Sequence, residues 1–342
     1  MGICSFFRSG RGPQFRNGRF MSQPARTGEV LVIGAIGQDL REAFAEEFSL
    51  IDYIIEGPQA KSLAGIPNGH KVVLTRALCG ASEELMQAMP DLELIVSLGA
   101  GLEKIDLEAA RRHGVKVVHT PDELTEDVAD YAVGLTYDAV RGISAADRFV
   151  RAEKWGKTPA PFTRRVSSKK IGIIGLGKIG SRIAEKFFGL GLDVSYHDRI
   201  EKVESSYRYY SNVRELAANV DVLILSVAGT ASTRHIVDAE VLDMLGPEGY
   251  LINVARASVV DEAALLDRLE DGRLAGAGLD VFAEEPGLDK RFFELNNVVL
   301  TPHAASFTRE ARKALIATLL KGARAYFSGA AIENDAAARK PG

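Results

Sequence analysis

Short apolar runs alternate with amphipathic stretches along the chain from Glu29 onward. Four runs in the first third predict buried strands: EVLVIG (29–34), KVVLT (71–75), LELIV (92–96) and VKVVH (115–119). Apolar residues at helical spacing predict helices between them, near 37–47, 82–89 and 105–113. This alternation indicates a small open α/β domain.

A longer amphipathic stretch follows at residues 126–150. Its apolar positions recur at the spacing of one helix face and include Val128, Ala129, Ala132, Val133 and Leu135. The length of the stretch predicts one helix that crosses from the first domain to a second.

The second α/β series opens at residue 171 with a glycine-rich turn. The apolar run from Ile171 leads into Gly175-x-Gly177-x-x-Gly180, a helical pattern follows, and a second apolar run ends at Asp198. Later strands are predicted within 221–227, 249–255, 274–282 and 297–302, and helices near 239–245 and 261–271. A final amphipathic helix, residues 309–329, is predicted to return to the first domain.

The glycine spacing indicates a dinucleotide site. Gly175 permits the sharp turn, Gly177 lets the backbone approach a pyrophosphate, and Gly180 lets the helix pack close to the strand. The helix that begins near Lys178 points its N–H groups at the phosphates, and the acid Asp198 is placed for the ribose hydroxyls.

Three polar side chains stand at predicted strand ends, where ligands bind in doubly wound sheets. They are Arg256, Glu285 and His303, and each has an ordinary structural interpretation when taken alone. Together they suit the reduction of a 2-oxo acid. Arginine binds the carboxylate through a planar fork, histidine donates a proton near neutral pH, and a carboxylate orients the histidine ring.

The surrounding blocks carry a family resemblance. NVARASVVDEAAL (253–265), GAGLDVFAEEP (276–286) and TPHAAS (301–306), in this order after GLGKIG, resemble the signatures of the D-isomer-specific 2-hydroxyacid dehydrogenases, and most closely the glyoxylate/hydroxypyruvate reductase branch. The similarity spans about Glu29 to Asp335. It implies a flavodoxin-like substrate-binding domain (29–125 plus 307–335) and a Rossmann doubly wound coenzyme domain (126–306), with the active site in the cleft between them.

The resemblance also implies roles for individual residues. Arg256 corresponds to the substrate-binding arginine, Glu285 to the acid beside Pro286, and His303 to the acid/base histidine. The loop SLGAGLEKID resembles one whose backbone amides hold the substrate carboxylate, here those of Gly99, Ala100 and Gly101. The predicted cofactor contacts are Val128, Gly175, Leu176, Gly177, Lys178, Ile179, Gly180, Asp198, Arg199, Val227, Val254 and Asp280, the last at the nicotinamide amide.

The sequence departs from the family pattern at Ala257, Glu103 and Ala228, which replace the usual glycine, aspartate and proline. Alternative functions are a nucleotide-sensing corepressor-like binding protein, or a dehydrogenase of phosphoglycerate, formate or phosphite. Glu285 argues against the formate branch, which pairs its histidine with glutamine.

The cofactor is expected to be NAD, because a 2′-phosphate would meet the like charge of Asp198. Arg199 directly follows and keeps NADP as the alternative. The family resemblance implies a homodimer formed through the coenzyme domains, and a small 2-oxo or 2-hydroxy acid as the substrate.

Amino-acid composition narrows the functional classes to which the protein can belong. A net charge of −4 gives no footprint for nucleic acid or membrane, and no apolar run is long enough to span a bilayer. Cys4 and Cys79 are too few for a disulfide framework or a metal cluster, so we expect a cytoplasmic protein without a metal. Residues 1–28 hold five arginines and no acid. They are interpreted as a disordered basic tail: a leader, a transit peptide or a cloning remnant.

Overall fold

The first sheet consists of five parallel strands. The computed structural model describes residues 27–53, 62–77 and 79–338. The strands are β1 (Glu29–Ile33), β2 (Ser49–Tyr53), β3 (Val72–Arg76), β4 (Leu94–Leu98) and β5 (Lys116–Val118), in the order β2-β1-β3-β4-β5. The helices between them are α1 (Gln38–Ala45), α2 (Glu83–Ala88) and α3 (Leu107–His113). This is the flavodoxin-like strand order.

Two helices follow the first sheet along the chain and precede the second, α4 (Thr125–Arg141) and α5 (Ile143–Arg151). The prediction of one helix over 126–150 is therefore wrong. Gly142 adopts a left-handed φ of 61°, which ends α4, and the Asp138 carboxylate accepts the backbone N–H of Ser144 (2.8 Å) at the start of α5. Glycine adopts this conformation without steric cost and therefore commonly ends a helix. The apolar residues keep their helical spacing through Gly142, although the chain forms two helices there.

The second sheet has seven parallel strands. They are β6 (Ile171–Ile174), β7 (Val194–His197), β8 (Arg208–Tyr209), β9 (Val222–Leu225), β10 (Tyr250–Asn253), β11 (Gly276–Leu279) and β12 (Val298–Leu300), in the order β12-β11-β10-β9-β6-β7-β8. Its helices are α6 (Lys178–Gly189), α7 (Val213–Ala218), α8 (Ala239–Leu245) and α9 (Glu262–Glu270). The strand order reverses between β6 and β9, as in doubly wound dinucleotide-binding sheets.

The last helix, α10 (Arg309–Phe327), packs on the first sheet. Its buried residues Leu319, Leu320 and Ala323 join the apolar cluster on one face of that sheet. A side chain on Gly322 would lie 2.7 Å from Val118, so the helix approaches β5 closely at this point. The carboxyl-terminal part of the chain thus completes the first sheet's core.

Most predicted elements are present, although β4 begins two residues later than the apolar run that predicted it. The strands β2 and β8 and the short helix α7 were not predicted. Within the described ranges, no helix is long and apolar enough to cross a membrane. The predicted basic tail lies outside the described residues as far as residue 26.

Candidate active site

The turn between β6 and α6 has the geometry that a pyrophosphate requires. Gly175 has a φ of 92°, and its carbonyl accepts a hydrogen bond from the Ser226 hydroxyl (2.6 Å) at the end of β9. A Cβ on Gly180 would overlap the Gly175 carbonyl oxygen, whereas one on Gly177 would meet nothing within 4 Å. The backbone at Gly177 is therefore open to a ligand, and the helix packs tightly behind it.

The start of α6 lacks a capping side chain. Gly177 stands at the N-cap and makes no side-chain hydrogen bond, and no acid lies in the first turn. The first-turn N–H groups and the positive end of the helix dipole suit an anion. The side chain of Lys178 forms an ion pair with Asp122, which precedes α4. The residues present therefore fit the pyrophosphate of a dinucleotide.

Asp198 follows β7 and closes the same turn. One of its carboxylate oxygens accepts the Leu176 N–H (3.1 Å), and the other accepts the Arg199 N–H (2.7 Å). The ammonium of Lys202 lies 3.7 Å from the carboxylate. The acid predicted to contact the ribose thus lies beside the glycine turn, and its role at the ribose stays a prediction. Lys202 is a nearby cation that the sequence analysis did not identify.

The carboxyl end of β10 positions Arg256. The buried Asn253 side chain accepts the Ala255 N–H (3.0 Å) and donates to the Arg256 carbonyl (3.0 Å), which fixes the turn. The guanidinium donates through Nε to Glu103 (2.9 Å) and through Nη1 to the Ala255 carbonyl (2.7 Å). Arg256 and Glu103 are 153 residues apart, so the contact joins the two halves of the site.

The predicted substrate loop follows β4 and lies against Arg256. The Gly99 N–H donates to the Thr120 hydroxyl (3.2 Å), so this N–H already has an acceptor within the protein. Among the described residues the amides of Ala100 and Gly101 have no acceptor. A Cβ on Gly101 would lie 2.7 Å from Arg256 Nη2, which shows how closely the loop and the guanidinium approach.

His303 and Glu285, the predicted acid/base histidine and its carboxylate partner, are in contact. Nδ1 of the histidine lies 2.7 Å from Oε2 of the glutamate. The other oxygen, Oε1, accepts the Phe282 N–H (2.9 Å), so the carboxylate is fixed by its own loop. Because Nδ1 is hydrogen-bonded to Glu285, Nε2 is the ring nitrogen that is left to exchange a proton with a substrate.

Asp280 holds the histidine loop. It is 1% exposed, and its carboxylate accepts from the Thr301 hydroxyl (2.7 Å), the Ala304 N–H (2.8 Å) and the Ala305 N–H (2.9 Å). These hydrogen bonds are made by residues on both sides of His303 in the chain, and His303 itself has a φ of 52°, which is uncommon for a residue with a side chain. The role predicted for Asp280 at the nicotinamide stays a prediction, whereas its part in the loop is seen directly.

Four of the remaining predicted cofactor residues belong to one apolar cluster, and a fifth borders the glycine turn. Val128, Leu176 and Val254 are buried in one apolar cluster, with Ile179 half-buried against it. A Cβ on Gly175 would lie 2.6 Å from the Val227 side chain, so Val227 borders the glycine turn.

Sequence reasoning missed several residues that contact the predicted site residues. Glu103 was noted only as a departure, and Asn253, Thr120, Asp122 and Lys202 were not singled out at all. A polar residue at the last position of an apolar strand is a usable signal for Asn253. The other contacts join distant segments and have no local signal.

Several known proteins are similar to this chain. The profile of the D-isomer specific 2-hydroxyacid dehydrogenase NAD binding domain matches residues 133–305. The chain is 40% identical to hydroxyphenylpyruvate reductase from Plectranthus scutellarioides over 300 residues, covering 88% of this chain and 96% of that protein. It is 39% identical to glyoxylate/hydroxypyruvate reductase A from Arabidopsis thaliana, with the same coverage of both chains.

A solved structure is similar over the whole fold. It is the NADPH-dependent glyoxylate/hydroxypyruvate reductase of Sinorhizobium meliloti in complex with NADP and malonate. The TM-score is 0.83 at 33% identity, covering 92% of this chain and 99% of that one. The chain therefore belongs to the D-isomer specific 2-hydroxyacid dehydrogenase family.

Proposed function

We propose that this protein reduces small 2-oxo acids of the glyoxylate and hydroxypyruvate class to D-2-hydroxy acids with a reduced nicotinamide dinucleotide. The observation that carries the proposal is the His303–Glu285 pair at 2.7 Å. A histidine fixed in this way can protonate the carbonyl oxygen as hydride reaches the neighbouring carbon. The names of the relatives support the substrate class.

Arg256 has the role of binding the substrate carboxylate. Its planar fork suits a carboxylate, and Gly101, in the loop that carries the Ala100 and Gly101 amides, lies directly beside it. With the carboxylate held there, the 2-oxo carbon has one orientation relative to His303. The second sheet contributes this cation, and the loop after β4 of the first sheet contributes the two amides; together they orient the substrate.

The predicted cofactor residues fit a dinucleotide along the second sheet. Residues 175–180 would hold the pyrophosphate, Asp198 and Arg199 the adenosine ribose, and Val128, Val227, Val254 and Asp280 the nicotinamide end. When bound, the reduced nicotinamide supplies the hydride. The protein supplies a binding surface and, at Nε2 of His303, the proton.

We propose NAD as the preferred cofactor. The Asp198 carboxylate stands at the end of β7, where a 2′-phosphate would meet a like charge. Lys202, 3.7 Å away, offsets part of that charge, and the similar Sinorhizobium meliloti enzyme is NADPH-dependent. NADP is therefore the alternative that kinetic measurements must exclude.

We further propose a homodimer formed through the coenzyme domain, residues 126–306, with the substrate-binding domain made of 29–125 and 307–335. Support comes from the segment around α5, a helix with no buried residue. Four exposed large apolar side chains lie in this segment: Ile143 (57% exposed), Val150 (50%), Trp155 (78%) and Phe162 (104%). A second copy of the chain is the partner that would cover them.

We also propose a cytoplasmic location, supported by the low cysteine content of two in 342 residues. Fractionation of cells that express the tagged native sequence tests this location. Recovery of the protein in an organelle fraction would favour a transit peptide within residues 1–28.

The reaction is tested with purified protein, either reduced cofactor and a panel of 2-oxo acids, by following oxidation of the nicotinamide by absorbance. We expect turnover of glyoxylate and hydroxypyruvate and formation of D-glycerate from the latter. Absence of turnover with every 2-oxo acid and both cofactors would refute the proposal.

A further inference from the structure

We propose that Glu103 is a positioning residue for Arg256, one that turns the guanidinium so that its Nη edge receives the substrate carboxylate. This inference rests on the proposed reduction of a 2-oxo acid. It assigns a role to a residue that marks a departure from the family's usual aspartate.

The hydrogen bonds of Arg256 fix the plane of its guanidinium. Nε donates to Glu103 Oε1 (2.9 Å), and Nη1 donates to the Ala255 carbonyl (2.7 Å). An arginine has five N–H groups in one plane, so two fixed bonds at different nitrogens determine its orientation. The N–H groups of Nη2 and one N–H of Nη1 are left for another acceptor.

Gly101 shows which way this edge lies. A Cβ at that position would overlap the Glu103 carboxylate and lie 2.7 Å from Arg256 Nη2. The pair therefore rests directly on the loop that presents the amides of Ala100 and Gly101. The Nη2 end of Arg256 thus lies against the loop in which the Ala100 and Gly101 amides have no acceptor among the described residues. A carboxylate is bound well through several donors of these kinds.

Glu103 could instead compete with the substrate for Arg256. The geometry favours positioning, because Glu103 takes Nε and leaves both N–H groups of Nη2 and one of Nη1, an edge that can bind a carboxylate in a bidentate way. Both side chains are about one-third exposed, at 35% and 39%, so water and salt weaken the repulsion between two carboxylates. The two roles predict opposite effects when Glu103 is removed.

The experiment compares Glu103→Ala and Glu103→Gln with the wild type. Glutamine keeps the length of the side chain and its Oε1 acceptor but carries no charge. Glu108→Ala is the matched control, because Glu108 is an exposed acid in the first turn of α3, five residues further on. Steady-state kinetics with glyoxylate give KM and kcat. Calorimetric titration of the cofactor-loaded protein with oxamate, a carboxylate next to a carbonyl that cannot be reduced, gives a Kd independent of turnover.

We expect Glu103→Ala to raise KM and the oxamate Kd about tenfold or more while kcat falls less than about threefold, because a carboxylate contact made equally in the ground and transition states acts on binding. Glu103→Gln should stay within about threefold of wild type in each quantity, since it retains the acceptor for Nε. Glu108→Ala should match the wild type, as should the Kd for NADH in all variants.

Two results would overturn the inference. One is an unchanged or lowered KM and oxamate Kd in Glu103→Ala, which would make Glu103 a bystander or a competitor. The other is an equal loss in the alanine and glutamine variants, which would mean that charge acts and the hydrogen bond does not. A wild-type protein that reduced no 2-oxo acid would refute the proposed function instead, while the oxamate titration would still judge Glu103.

Discussion

At the scale of single residues, catalysis depends on His303 and its carboxylate partner. We expect His303→Ala to lower kcat with glyoxylate by about 10²–10⁴-fold, the usual contribution of a positioned general acid. Glu285→Gln should lower kcat less, because an amide oxygen can still accept from Nδ1 (2.7 Å in the native pair) but carries no charge.

The control for these variants is His113→Ala, since His113 is exposed at the end of α3. It should retain wild-type kinetics. Wild-type turnover in His303→Ala would show that another group provides the proton.

Cofactor choice is also decided by single residues. We expect kcat/KM for NADH to exceed that for NADPH by about tenfold or more, or about 1.4 kcal/mol. Asp198→Ser should relax this preference by removing the like charge. Lys202→Met should reduce NADPH use further, because the cation 3.7 Å from Asp198 is lost.

Lys313→Met serves as the control, because this exposed lysine lies on α10, away from β7. A tenfold preference of the wild type for NADPH would contradict the expectation and show that Arg199 and Lys202 outweigh Asp198.

At the scale of elements, the β6–α6 turn depends on close packing at one glycine. Gly180→Ala places a Cβ onto the Gly175 carbonyl and 2.6 Å from the Ser226 hydroxyl, so the backbone must shift. We expect a lower thermal midpoint and at least about tenfold weaker NADH binding, by fluorescence titration, because the phosphate-binding turn moves with the helix.

Gly189→Ala is the matched control in the same helix. A Cβ there meets nothing within 4 Å, and alanine favours helix by about 0.5–1 kcal/mol over glycine. Gly189→Ala should therefore leave NADH binding unchanged and raise the thermal midpoint slightly. Equal effects of the two substitutions would refute the packing explanation.

The attachment of α10 to α1 and to the segment between α1 and β2 should depend on pH. The guanidiniums of Arg312 and Arg324 hydrogen-bond Asp39 (2.6 Å) and Glu47 (2.6 Å) and lower the pKa of each carboxyl. The unfolded chain therefore takes up these two protons at a higher pH than the folded protein. The stabilisation is present above the ordinary carboxyl range and is lost as the pH falls below about 4.

We expect the variant Asp39→Asn plus Glu47→Gln to be less stable than the wild type at pH 7 and equally stable near pH 2, by urea unfolding across pH. Its stability should fall less steeply on acidification. Glu46→Gln is the control, because Glu46 is exposed and has no ion pair among residues 27–53, 62–77 and 79–338. If the free energy of unfolding fell equally steeply on acidification in the double variant and the wild type, this account would be contradicted.

At the scale of the whole molecule, the exposed apolar residues around α5 predict self-association. We expect a mass of twice the 36.9 kDa chain at micromolar concentration by light scattering. Trp155→Ser plus Phe162→Ser should shift the protein toward monomer. Both side chains are exposed apolar groups just after α5, a helix that buries none of its residues within the chain.

Phe293→Ser is the control, since Phe293 is 65% exposed and lies outside this segment. It should remain dimeric. A wild-type monomer would remove the proposal for assembly and leave the catalytic assignment intact.

Much of the fold could be predicted because its signals are local. Gly175 is required by the positive φ of the turn, and the acid Asp261 caps α9 by accepting the Ala264 N–H (3.1 Å). The apolar runs predict buried strands because parallel strands are covered on both faces. The break at Gly142 was missed, since apolar periodicity continues through it and only the backbone conformation ends the helix.

The candidate site likewise has features that the sequence predicts and features that only the structure shows. The sequence by itself determined which side chains stand at strand ends, including Arg256 and His303, because strand ends follow from the local pattern. Only the tertiary structure decided that Glu103 meets Arg256 across 153 residues, and that Asp280 holds the loop of His303. The first contact depends on how the two halves of the chain lie relative to each other, and the second depends on the pairing of β11 with β12. No spacing along the chain encodes either contact.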